Sequence, residues 1–121
     1  MAPIDPQNGE LGQGCIGIGV GELNSHPVTG VTFEGFRLTQ FDEARALVLK
    51  AHNVEGFRDY SMIGWDVAFT PDGPILIEGN GKPGLNIIER GSRQLAGDGR
   101  LGELIAWHVK QALDQRKRPP E

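Results

Sequence analysis

The stretch "MIGWDVAFTPDGPILIEGN", Met62 to Asn80, sets two acids and an asparagine inside what otherwise reads as two apolar strands joined by a turn. Carboxylates are costly in apolar surroundings unless a cation or hydrogen-bond donors compensate them. Met62 to Thr70 alternates, with Ile63, Trp65, Val67 and Phe69 on one face and Met62, Gly64, Asp66 and Ala68 on the other. Pro74 to Asn80 places Ile75 and Ile77 on one face and Leu76, Glu78 and Asn80 on the other. Residues facing each other across an antiparallel pair point to the same side, so the length of the loop decides which acids meet. A two-residue loop at Asp72-Gly73 pairs Asp66 with Gly79. A three-residue loop, Pro71-Asp72-Gly73, pairs Thr70 with Pro74 and Asp66 with Glu78. Proline suits the first central position of a type I turn, aspartate the next, and glycine the left-handed position that follows, which favours the longer loop. The expectation is that Asp66, Glu78 and Asn80 share a face.

Two carboxylates and an amide oxygen are hard oxygen ligands of the kind magnesium takes, usually with retained water and phosphate oxygens. Spacing alone leaves a plainer reading open: these groups pair with Arg58, Arg90 or Arg93, or face water. His26, His52 and His108 are far apart in sequence, which argues against zinc. Cys15 has no identifiable base and no G-x-S-x-G is present, so a serine or cysteine nucleophile has no support.

Outward from this hairpin, "FDEARALVLKAHN" is the clearest helix, with Phe41, Ala44, Leu47, Val48 and Ala51 on one face. Thr39 can cap its start, and Asp42 and Glu43 suit the first turn. A second helix is expected from about Leu101 to Arg116, with Leu101, Leu104, Ile105, His108 and Ala112 along one side. Asn8-Gly9 is a hairpin signal of type I′. Only Met1 to Gln7 precede it, which suggests a piece of something longer. "GQGCIG", Gly12 to Gly17, fits G-x-G-x-x-G, but the glycine- and proline-bearing "IGVGELNSHPVTG" that follows has no helical period. A Rossmann site is therefore not expected.

The 121 residues make one domain, expected as an α+β unit: an antiparallel sheet packed with the two helices, over residues 1–114, followed by a flexible basic tail over 115–121. A net charge of −4 and the lack of a basic, aromatic-studded stripe argue against nucleic acid. A single cysteine excludes an intrachain disulfide and fits a reducing compartment. No apolar run approaches a membrane span or a signal segment, so no membrane role is expected and the cytoplasm is the default.

"IGWDVAFTPDGPILIEGNGKPGL" resembles the C-terminal lobe of the ATP-grasp superfamily, and more closely the sugar-transfer-associated ATP-grasp family, through I-G-W-D-x-A, T-x-D-G-P and E-G-N-x-x-P-G. "HPVTGVTFEGFRL", His26 to Leu38, resembles that family's upstream segment; the likeness runs from about Ile4 to Ile88. "EGNGKPG" is also similar to the E-x-N-x-x-P-G of D-alanine–D-alanine ligases. The resemblance implies ATP with magnesium or manganese as cofactors, and Asp66, Glu78 and Asn80 as metal ligands. It implies a small carboxylate substrate activated as an acyl phosphate for attack by an amine or similar nucleophile, and suggests a link to polysaccharide or sugar-transfer pathways. Gly84, in the turn Pro83-Gly84, would present a backbone N–H to the acceptor, and Lys82 could reach a phosphate, though a surface lysine is the plainer reading. His26-Pro27 reads as a turn, and Trp65 and Phe69 as core.

The likeness covers the later lobe only. The chain alone is therefore expected to bind Mg–ATP poorly and turn over slowly, and to be a carboxylate–amine ligase when a complementary lobe completes it. Such a lobe would come from a partner, and an apolar surface left open there favours self-association. The alternative is a non-catalytic remnant or assembly module that keeps the fold without turnover.

Overall fold

The computed structural model describes residues 1–16, 21–92, 95 and 97–116. In chain order the elements are β1 (Gly14–Cys15), β2 (Glu22–Leu23), α1 (Phe41–His52), β3 (Gly64–Thr70), β4 (Gly73–Asn80), α2 (Leu85–Ser92) and α3 (Gly99–Arg116). They form an α+β unit with two small antiparallel sheets, β1 with β2 and β3 with β4. Of the tail expected over 115–121, residues 115 and 116 belong to α3, and residues 117–121 lie outside the described residues.

The β3–β4 hairpin closes through two loop residues, Pro71 and Asp72, so Thr70 pairs with Gly73 rather than with Pro74. Thr70 Oγ1 donates to the Gly73 carbonyl at 2.7 Å and accepts the Asp72 N–H at 3.3 Å, which locks the short loop. Gly73 takes φ +116°, a conformation L side chains rarely adopt. With an uninterrupted ladder this turn would set Asp66 against Ile77. Instead Val67 pairs with Leu76 and Asp66 with Glu78, so Ile77 is an extra residue in β4, a β-bulge. Asp66 and Glu78 are therefore opposite one another, as expected, but the odd residue sits in the strand and not in the turn. The bulge also corrects the expected face of Leu76, which pairs with Val67 and leaves the acids' side.

α1 forms where the apolar period predicts it, and its stripe is the part turned inward: Ala44 is buried and Phe41, Leu47, Val48 and Ala51 are half-buried. The cap differs from expectation. Gln40 occupies the N-cap and makes no side-chain capping bond. Its side-chain amide instead donates to the Thr70 carbonyl at 2.9 Å, tying the helix start to the hairpin turn. α1 packs on β4 and β3, and an apolar groove of about 350 Å³ between them is walled by Phe41, Ala44, Val48, Trp65, Val67 and Phe69. On the same side the Trp65 ring lies across the backbone of Gly79, where a Cβ would come within 2.7 Å of it. Phe57 meets Trp65 edge-on at 5.5 Å.

Asn8-Gly9 belongs to a longer loop than a two-residue turn. The Asp5 N–H donates to the Glu10 carbonyl at 2.8 Å and the Gly9 N–H to the Asp5 carbonyl at 2.9 Å. The Asp5 and Asn8 side chains accept the N–H groups of Gln7 and Glu10, and these local bonds hold the wider shape. His26 does organise a turn: its Nδ1 accepts the N–H groups of Val28 and Thr29. Gly14-Cys15 is strand, at a place where a dinucleotide fingerprint needs a helix to open. α3 covers the span expected of the second helix, while among the described residues the main packing of helix on sheet is that of α1 on β4 and β3. α2 was not foreseen. Its eight residues follow Pro83-Gly84 directly, and the Gly84 carbonyl accepts the Ile87 and Ile88 N–H groups.

The contact of Trp65 with Gly79 gives a stability test. Gly79→Ala forces the ring away and should cost about 1–3 kcal/mol, as overpacking does. Urea unfolding read by tryptophan fluorescence measures it, and an unchanged midpoint would show that the ring does not need a bare backbone.

Candidate functional site

The site grows from the end of the hairpin away from its turn. Asp66 and Glu78 are ladder partners, and Gly64 pairs with Asn80, so Asp66, Glu78 and Asn80 project from one face. Beyond Asn80 the chain turns back at Gly81–Gly84, and Pro83 closes onto β3: a Cβ on Gly64 would lie 2.8 Å from that of Pro83. Glycine at position 64 thus lets the turn settle beside Asp66. The resulting cleft, of about 390 Å³, is walled by Asp66, Asn80, Lys82, Pro83 and Gly84, with Gly64, Trp65, Ile87 and Ile88 completing it.

Four of the residues singled out from sequence, Asp66, Asn80, Lys82 and Gly84, line this one cleft. Glu78 is not a wall, but its Oε1 accepts the Asn80 side-chain N–H at 2.7 Å. That bond orients the amide and leaves its oxygen free to face a cation. All five are exposed. Among the described residues the ion pair is Arg45 with Asp42 at 3.6 Å, so neither Asp66 nor Glu78 has a described cationic partner, Arg58 included. The side chain of Arg90, and Arg93 altogether, lie outside the described residues.

Like charges directly opposite on a sheet destabilise it, with Cβ atoms roughly 5 Å apart in such a pair. Two facing carboxylates beside an amide oxygen are a hard-oxygen donor set, and its chemistry fits magnesium or manganese. The set has only two acids; no group of three His, Cys, Asp or Glu side chains gathers among the described residues. Lys82 adds a positive charge on the rim. The Gly84 N–H donates to no described residue and lies on the cleft. Ile87 and Ile88, which the sequence reading did not single out, enter through α2; the signal for them was "LNIIERGS" directly after a proline-glycine pair.

The chain belongs to the sugar-transfer-associated ATP-grasp family, whose description it matches over residues 1–98. It is also 32% identical over 101 residues to a probable alpha-L-glutamate ligase of Chromohalobacter salexigens, an alignment covering 84% of this chain and 30% of that protein. The chain spans about 30% of the length of that relative. No solved structure matches it. Among the described residues no helix is long and apolar enough to cross a membrane.

The opposition of Asp66 and Glu78 has a measurable sign. In buffer free of divalent ions, Asp66→Asn should stabilise the chain by about 0.2–1 kcal/mol, because it removes one of two facing charges. Denaturant titration at low ionic strength reads the change; a loss of stability would mean that the carboxylates are already compensated.

Proposed function

We propose that this chain is the C-terminal, metal- and phosphate-binding lobe of an ATP-grasp ligase, over residues 1–114, and that a complementary lobe, in the same polypeptide or a partner, completes its nucleotide cleft. One observation carries the reading: Asp66 stands opposite Glu78 with Asn80 beside it, on a cleft that also takes in Lys82 and Gly84. Family membership supplies the chemical setting.

The reaction proposed has two steps. A carboxylate oxygen of a small acid attacks the γ-phosphorus of ATP, the β–γ bridge breaks, and ADP leaves with an acyl phosphate formed. An amine nitrogen then attacks the acyl carbon, inorganic phosphate departs, and the nitrogen gives up a proton as the amide forms. The relative's name points to glutamate as one of the two groups joined. Asp66, Glu78 and Asn80 would hold magnesium, which would offset the negative charge developing in phosphoryl transfer. Lys82 would neutralise phosphate charge from the rim. The Gly84 N–H would donate to the oxyanion at the acyl carbon, a contribution of about 3 kcal/mol for such a donor elsewhere. An enzyme of this type works where ATP is plentiful, and we place it in the cytoplasm.

Ligand binding to the native state raises the melting temperature, by an amount equivalent to about 1.4 kcal/mol at ten times the dissociation constant. Magnesium with ATP at millimolar concentration should therefore shift the transition of the chain upward, and Asp66→Ala or Glu78→Ala should abolish the shift. Absence of a shift in the unaltered chain would favour a non-catalytic assembly module that keeps the fold.

A further inference from the structure

We propose that His52 and Tyr60 are positioning residues for the cleft: they fix the start of the Gly81–Gly84 turn and, through it, the Asn80 amide. The ligase reading enters only in what that turn binds. His52 is the last residue of α1. Its Nε2 lies 2.8 Å from the Tyr60 carbonyl oxygen. A carbonyl oxygen only accepts, so Nε2 carries the proton and donates. The Tyr60 ring in turn lies over Gly81, where a Cβ would stand 3.4 Å from Cε1 and 3.7 Å from Cδ1. Gly81 is the residue between Asn80 and Lys82.

α1 is thereby tied to both ends of the hairpin. At its start the Gln40 side-chain amide donates to the Thr70 carbonyl, beside the short turn. At its other end His52 holds Tyr60, beside the cleft. The 12 residues of α1 rise about 18 Å, and the 7 residues of β3 about 23 Å. One helix packed on the hairpin can therefore reach both ends, and the second tie falls where the site is.

The segment after α1 also brackets Asn80. Phe57 meets Trp65 edge-on at 5.5 Å, and the Trp65 ring lies across Gly79. Tyr60 lies across Gly81, and its N–H donates to the Phe57 carbonyl at 2.9 Å, so both rings belong to one hydrogen-bonded turn. Asn80 thus stands between two glycines, each with an aromatic ring against it. Glycine leaves the backbone its widest freedom, so these rings restrict what the sequence leaves loose. Backbone direction at Asn80 decides whether its amide reaches Glu78 Oε1, the 2.7 Å bond that orients it. Trp65 is placed by its strand, whereas Tyr60 lies outside the strands and is held from the helix by His52. Outer partners of this kind tune a metal site without touching the ion.

NMR of the full chain without metal reads the coupling first. The Tyr60 ring displaces the Gly81 α-proton resonances, and His52→Ala should move them toward their positions in Tyr60→Ala. His52→Gln, whose side-chain N–H donates from the same distance along the chain, should restore them. Tyr60→Phe should keep them, because the ring and not the hydroxyl makes the contact. Magnesium titration then reads the consequence. His52→Ala and Tyr60→Ala should weaken binding about tenfold, as loss of an outer partner does, with His52→Gln and Tyr60→Phe close to the unaltered chain. Gly81 resonances indifferent to His52→Ala, failure of His52→Gln to restore them, or unchanged magnesium affinity in variants whose Gly81 resonances have moved would each overturn the proposal. An unaltered chain that takes up no magnesium, while its Gly81 resonances follow His52 as expected, would support the coupling and overturn the ligase reading instead.

Discussion

The arrangement depends on one extra residue. The two-residue turn at Pro71-Asp72 would by itself align Asp66 with Ile77, an acid with an aliphatic side chain on the cleft face. A bulge at Ile77 shifts the ladder by one position beyond Val67, and everything from Asp66 outward depends on that shift. A bulge locally disrupts the ladder and bends its strand. Here it also lets β4 serve two surfaces. Leu76 faces with Val67 toward the apolar groove, while Glu78 and Asn80 face with Asp66 into the polar side.

Two close approaches keep the far end of the hairpin in place. Trp65 covers Gly79 on the groove side, and Pro83 rests on Gly64 on the cleft side. Each glycine weakens its strand in isolation, since it gives up backbone entropy and offers no side chain to pack. Paired with a ring and a proline, they allow approaches that a Cβ would block. The same two contacts bring the turn bearing Lys82 and Gly84 beside the carboxylates. Strand register, glycine packing and site assembly are thus one structural problem.

Full burial is scarce: among the described residues Cys15 and Ala44 form the buried apolar set, while Ile75, Ile77, Trp107 and Leu113 are open to solvent. Two separate surfaces invite cover. One is the cleft face of the hairpin, where a complementary lobe would close over nucleotide. The other is α3, where Trp107, Val109 and Leu113 are open to solvent. Closing the first would also exclude water from the facing carboxylates.

Several elements were legible without coordinates because their signals are local. The stripe from Phe41 to Ala51 names α1, and the grouping of Asp66, Glu78 and Asn80 follows from alternation plus a single odd residue. Motif order was enough to indicate the family. Tertiary structure decided where the odd residue sits, since Thr70 bonds the short turn shut and leaves the strand to absorb the mismatch. It also decided that Gln40 reaches the hairpin instead of capping its helix, and that α2 walls the cleft. A periodic pattern says that a helix has an apolar face. Only packing between distant segments determines what that face meets.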